Sequence, residues 1–341
     1  MTRILVGRYH DLAEFMQAWP ALAMLKASLP KAFVVALVPS HAAPLAGLCP
    51  YLDDVIVDVG AGGSAHDKDR LVHIIHAHRL DVSIHVHPNY HNAKLSRHAR
   101  IPYRLGPAST WLRFMYTHRF RLELKGGEEE GHHTAVVRHF LTSLGLEPKL
   151  PPPPYLRFAA AEVAEQRRVL AKQLSLNERR QWCFVHLGTA LSLAQYAQLL
   201  NLWLRDHIDV DVVICAQPEA WEAVLALQGL LQDPTRAVAY LDHDSLVDFA
   251  RSLACASVFV AGAGGPLQLA AALDVATVGF YTAAALADPR HGRPINAAGR
   301  HLAFCAKGGD PDLHQLDMAA SYGEIKTWLA QSQSQSTDLR I

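Results

Sequence analysis

Short, nearly uninterrupted apolar runs alternate with amphipathic stretches along the whole chain. In the first half, residues 3–7, 32–38, 55–59 and 81–86 are apolar almost throughout, as parallel strands covered on both faces would be. Residues 11–27, 69–78 and 132–144 carry apolar positions at helical spacing between them. The alternation predicts a doubly wound parallel sheet. Four consecutive prolines at 151–154 then interrupt the pattern. They cannot continue a helix or a central strand, so they predict an extended linker and a domain boundary. After a helix over about 159–173, the alternation resumes. Strands are predicted at 182–187, 210–215, 238–241, 257–261 and 276–281, with helices at 193–206, 218–231, 245–254 and 266–273. The alternating Gln and Ser of 331–336 predict a disordered tail. The fold class is therefore α/β, two tandem Rossmann-like domains at 1–150 and 155–330 followed by a flexible tail at 331–341. Ligands of such sheets bind at the carboxyl ends of strands, here expected in an interdomain cleft.

Composition narrows the function. Of 341 residues, 50% are hydrophobic and 19% charged, enough apolar material for packed cores. Lys plus Arg and Asp plus Glu both number 32, and the missing basic excess disfavours a nucleic-acid binder. No apolar run approaches the roughly 18 residues of a membrane span. The chain opens directly into Arg3-Ile4-Leu5-Val6, without a signal-peptide pattern. Its five cysteines (49, 183, 215, 255 and 305) include no C-x-x-C pair. Together these features predict reduced thiols in a cytoplasmic protein.

Four regions carry candidate chemistry. A strand runs into Gly262-Ala263-Gly264-Gly265-Pro266 and then a helix. Gly264 and Gly265 permit close backbone approach, and the helix start offers free N–H groups to a diphosphate. A tight strand–helix turn alone would also need small residues there, and the spacing is not that of a nicotinamide dinucleotide fingerprint. Gly188 and Thr189 follow the first strand of the second half, where they could touch a phosphate or ribose or form an ordinary loop. Asp11 and Glu14, spaced D-x-x-E, form an N-terminal capping pair. Either carboxylate could also act as a general base. Between 91 and 125, Lys94, Arg97, Arg100, Arg104, Arg113, Arg119, Arg121 and Lys125 face Glu123 alone, interleaved with Tyr103, Trp111, Phe114, Tyr116 and Phe120. Such a patch suits an anionic acceptor, an anionic membrane surface or simply solvent. The 20 histidines include His85 and His87, expected on one side of a strand, but no metal-ligand spacing such as H-E-x-x-H. No metal centre is expected, and neither a P-loop nor a nucleophile elbow is present.

Taken in order, several segments resemble one family. These are R-I-L-V-G-R-Y-H-D-L-A-E-F-M-Q-A-W-P-A-L, R-H-A-R-I-P-Y-R-L-G, H-H-T-A-V-V-R-H-F-L-T-S-L-G-L, V-H-L-G-T-A and G-G-P-L-Q-L-A-A-A-L-D-V-A-T-V-G-F-Y. They are similar to segments of the bacterial ADP-heptose:lipopolysaccharide heptosyltransferases, glycosyltransferase family 9, which have the two-domain GT-B fold. The chain departs from that pattern in places. The family's D-T-G falls on Ala263-Gly264-Gly265 and its histidine on Gln268. The lysine after its H-P-G-S loop has no clear counterpart in residues 191–195. Its catalytic aspartate falls on Glu14, with Asp11 as competitor.

The resemblance implies an inverting, metal-independent sugar transferase with no resident cofactor. ADP-heptose would be held by Gly188, Thr189, Gly264, Gly265 and Gln268, with Glu219 or Glu222 on the ribose. Arg97, Arg100, Arg104, Arg113 and Arg119 would hold an anionic lipid-linked saccharide acceptor, with peripheral contact to the inner membrane. The alternatives are a non-catalytic nucleotide- or sugar-binding relative and a nucleotide-sugar epimerase.

Overall fold

The computed structural model describes residues 1–7, 11–122, 131–241, 245–282, 294–305 and 313–338. The chain divides into two compact units, Met1–Tyr155 and Leu156–Ile341. The division falls just after the four prolines, which lie in neither helix nor strand.

The first unit is a six-stranded parallel sheet. Its strands are β1 (Arg3–Val6), β2 (Phe33–Pro39), β3 (Asp54–Asp58), β4 (Val82–Ile84), β5 (Tyr103–Pro107) and β6 (His118–Phe120), in the order β3-β2-β1-β4-β5-β6. Its helices are α1 (Leu12–Gln17), α2 (Trp19–Ser28), α3 (Ala43–Ala46), α4 (Ala65–Ala77), α5 (Tyr90–His98) and α6 (His132–Ser143). One core gathers Leu5, Val35, Leu37 and Ile56 from the sheet against Leu71 and Ile75 of α4 and Leu95 of α5. The single helix expected over 11–27 is two helices, because Ala18 both ends α1 and starts α2, with Pro20 in the opening turn of α2. A proline has no N–H to donate and is tolerated in a first turn.

The second unit repeats the plan. It comprises α7 (Ala160–Leu174), β7 (Gln181–His186), α8 (Leu193–Asp206), β8 (Val210–Ala216), α9 (Trp221–Gly229), β9 (Ala237–Leu241), α10 (Leu246–Leu253), β10 (Val258–Gly262), α11 (Gly265–Ala272), β11 (Ala276–Tyr281), β12 (His301–Cys305) and α12 (Met318–Asp338). The sheet order is β12-β11-β10-β7-β8-β9, and all its described pairings are parallel. α12 runs through the stretch expected to be disordered, and residues 339–341 lie outside the described residues. Met318, Tyr322 and Ile325 are buried at helical spacing, and an anchored helix adds further residues at little cost. Among the described residues, no helix is long and apolar enough to cross a membrane.

Trp203 of α8 is 2% exposed, and its ring lies 6.2 Å from that of Tyr322 in α12. Trp203→Ala should therefore destabilise the chain by about 3–5 kcal/mol. Urea unfolding followed by circular dichroism checks this, and a loss below about 1 kcal/mol would contradict the packing of α12 on α8.

Candidate active site

In the first unit, β1 pairs with β2 on one side and β4 on the other. The segments that follow β1 and β4 therefore leave the sheet at its topological switch point, where ligands of open α/β sheets bind. The two strand ends lie close together, with the Gly7 N–H donating to the Ile84 carbonyl at 3.0 Å. Residues 8–10 lie outside the described residues. Asp11 then takes an extended conformation, φ −141° and ψ 178°, and its carboxylate accepts the Glu14 N–H at 2.8 Å. The cap read from the sequence is present on the Asp11 side. Ala13, Phe15 and Met16 are buried around Glu14, which is itself only 1% exposed. Its Oε1 lies 3.4 Å from His87 Nε2, in the segment after β4. The same oxygen lies 3.8 Å from His133 Nε2, in the first turn of α6. The His87 ring stacks on His132 at 5.0 Å and meets His133 edge-on at 5.4 Å. Burial, and then the neighbouring His133, lowers the His132 imidazolium pKa.

The expectation that His85 and His87 share one side of a strand is corrected. β4 ends at Ile84, so neither residue belongs to it. His85 turns inward, with Nε2 3.1 Å from Ser83 Oγ and 3.2 Å from Ser96 Oγ, and its burial pushes its pKa down to about 4. His87 instead reaches Glu14. The cluster of Glu14, His87 and His133 escaped the sequence reading because its members come from three separate elements.

In the second unit the switch point lies between β7 and β10, which pair with each other. Gly188 and Thr189 are exposed in the loop after β7. The neighbouring turn after β10 packs directly against that loop, since a Cβ added at Gly262 would lie 2.7 Å from the Ala190 Cβ. Gly264 precedes α11 at φ 159° and ψ −175°, a region left almost entirely to glycine. Gly265 opens the helix, and Gln268 is buried in its first turn. Glu219 lies in a short 3₁₀ turn after β8 and Glu222 in the first turn of α9, both exposed. The structure thus gathers all the residues expected at the donor behind the carboxyl ends of three adjacent strands, β10, β7 and β8.

The basic segment divides in two. Arg104 lies in β5, with Nε donating to the Met115 carbonyl at 2.9 Å and Nη1 to the Ile101 carbonyl at 2.5 Å. It braces the edge of the sheet. Arg97, Arg100, Arg113 and Arg119 are exposed, although Arg119 Nε donates to the Arg113 carbonyl at 3.0 Å. Beside Arg113, Trp111 is 67% and Phe114 58% exposed, and Tyr90 stacks on Trp111 at 5.8 Å. Glu123 and Lys125 lie outside the described residues.

No family model matches the chain. A Haemophilus influenzae protein described as a "Putative glycosyltransferase" is 42% identical over 325 residues, covering 93% of both chains. The chain belongs to this glycosyltransferase family. Its fold is that of glycosyltransferase family 9. A family 9 structure from Veillonella parvula superposes with a TM-score of 0.80 at 16% identity, covering 97% of both chains. The E. coli ADP-heptose lipopolysaccharide heptosyltransferase II gives 0.75 at 18% identity, covering 98% of this chain and 100% of that one. The E. coli heptosyltransferase WaaC with ADP gives 0.73 at 17% identity, covering 96% and 100%. The glycosyltransferase thus has two parallel six-stranded sheets in a heptosyltransferase-like fold.

His186, at the end of β7, is the residue from which the loop of Gly188 and Thr189 departs. Burial pushes its pKa down to about 4 from 6.5. A base whose folded pKa is depressed binds fewer protons folded than unfolded. Its contribution to stability is complete above about 6.5 and is lost as pH falls from there toward about 4. His186→Gln should therefore show a smaller drop in urea midpoint than the parent protein across that window. Equal slopes would show that His186 is not held neutral by burial.

Proposed function

We propose that this glycosyltransferase is an inverting enzyme. It would move a heptose from a nucleotide-diphosphate sugar, ADP-heptose, to an anionic lipid-linked core saccharide. The observation that carries the reading is the buried Glu14 carboxylate, presented by a capped helix at the switch point of the first sheet. Glu14 takes the proton from an acceptor hydroxyl as the hydroxyl oxygen attacks the anomeric carbon. The bond from that carbon to the diphosphate oxygen breaks on the opposite face, the electron pair leaves with ADP, and the configuration inverts. His87 and His133 flank the carboxylate.

In the second unit, the main-chain N–H groups at Gly264 and Gly265 receive the charge that develops on the diphosphate. Gly188 and Thr189 line the same end of the sheet, Gln268 supports the turn, and Glu219 or Glu222 accepts hydrogen bonds from the ribose hydroxyls. Backbone amides suffice for this work, so transfer needs neither a metal nor a cofactor. The heptosyltransferase WaaC, of the same fold, has been solved with ADP and with ADP-2-deoxy-2-fluoro heptose, which supports an ADP-sugar as donor.

The exposed Arg97, Arg100, Arg113 and Arg119 attract the acceptor's anionic groups. The adjoining Trp111 and Phe114 suit its lipid portion and a peripheral contact with the inner membrane from the cytoplasm.

Glu14→Gln should lower kcat by about 10² to 10⁴ while leaving the donor KM little changed. Asn caps a helix as well as Asp, so Asp11→Asn should keep most of the rate. ADP release with mass spectrometry of the product reads both. Loss in Asp11→Asn with little loss in Glu14→Gln would move the base to Asp11, and an unaffected Glu14→Gln would remove Glu14 from the chemistry. In the same assay, Arg113→Ala combined with Arg119→Ala should raise the acceptor KM and spare the donor KM. A change in the donor KM alone would place the acceptor elsewhere.

A further inference from the structure

We propose that Glu14, His87 and His133 form a binding site for a divalent transition-metal ion of the zinc class. One ligand atom from each side chain lies within 4.8 Å of the other two. Both imidazoles present Nε2 to the same carboxylate oxygen, at 3.4 and 3.8 Å. Both separations exceed the roughly 2.7–3.2 Å of an N–H···O hydrogen bond. They are also wider than a charge-assisted pair, which would close to about 2.7–2.9 Å. They suit an ion placed between the atoms. Metal–ligand bonds of about 2.0–2.1 Å at tetrahedral angles separate neighbouring ligand atoms by about 3.4 Å. The His87 contact already has that spacing, and the His133 contact is wider by a few tenths of an ångström.

The chemistry of the donor set selects the ion. Two imidazoles and one carboxylate suit zinc and its neighbours, whereas magnesium and calcium prefer oxygen alone. Three protein ligands leave a coordination position open, as in zinc sites that hold a water or substrate. The side chains are held in place before any ion arrives. Glu14 follows the Asp11 cap, and His87 lies between the His132 and His133 rings. The His87 side chain is 23% exposed, whereas Glu14 and His133 are buried.

The inference goes beyond the transfer reading, since it needs only these three side chains. Where both hold, the ion and the acceptor proton compete for one carboxylate, so occupancy slows transfer.

Full-length protein stripped with a chelator is titrated with Zn²⁺ by calorimetry and with Co²⁺ by visible absorption. The expected result is one site far tighter than the rest, with the intense d–d bands of four- or five-coordinate cobalt. His87→Gln and His133→Gln should each weaken it by more than about tenfold, a loss that even an outer-shell partner can cause. Exposed His41→Gln should bind as the parent does. Circular dichroism without metal checks folding. If His133→Gln does not fold, the near-isosteric Glu14→Gln takes its place and should show the same loss. Weak octahedral bands, no tight site, or a tight site that survives both His87→Gln and Glu14→Gln would overturn the proposal. Transfer with no metal binding sinks this inference alone, and metal binding with no transfer by the metal-free protein sinks the transferase mechanism alone.

Discussion

Each sheet is governed by the return of its fourth strand to the strand where that sheet began. β4 comes back to β1, and β10 comes back to β7. Parallel strands joined by right-handed crossovers must place helices on both faces. Reversing the direction of winding at the middle of the sheet then sends two neighbouring loops to opposite faces. The gap they leave at the carboxyl ends is the one place in such a sheet where the backbone opens without breaking the ladder. The carboxylate with its histidines lies at this gap in the first unit, and the glycine turns lie at it in the second. Neither group of residues would converge if the strands ran in sequential order across the sheet.

The two gaps are furnished by opposite physical means. The first holds an ionisable side chain away from water, a costly state unless neighbouring groups compensate. Asp11 fixes the backbone of Glu14, and two imidazoles crowd its oxygen. The second relies on peptide dipoles and small residues, with the neutral amide of Gln268 buried behind them. Main-chain amides do not titrate, so the character of such a surface does not change with pH.

The central strands of both sheets were legible as continuous apolar runs, and the glycine turn after β10 was legible as a break in one. Three strands were not. β5 and β6 carry Tyr103, Arg104, His118 and Arg119, and β12 begins with His301. β6 and β12 are edge strands, with fewer buried faces and hence a weaker apolar signal. The same polarity made the β5–β6 segment read only as a basic patch, whereas its Arg104 braces the sheet. α5 was hidden for a different reason, because it buries His91, Asn92 and Ser96 where hydrophobic residues would be sought. Of the candidate site, Asp11 and Glu14 could be named because a cap has a local spacing. Their histidine neighbours could not, because a strand end and two helix starts meet only through the winding of the sheet.

The contact between Gly262 and Ala190 has a consequence for how this protein can diverge. A methyl at 262 would sit 2.7 Å from the methyl at 190, so the two positions share room for about one side-chain carbon. Neither can grow unless the other shrinks or the loops part. In a lineage of such proteins these two sites, far apart in the chain, would drift as a linked pair, their combined bulk held nearly constant while the surrounding surface changes.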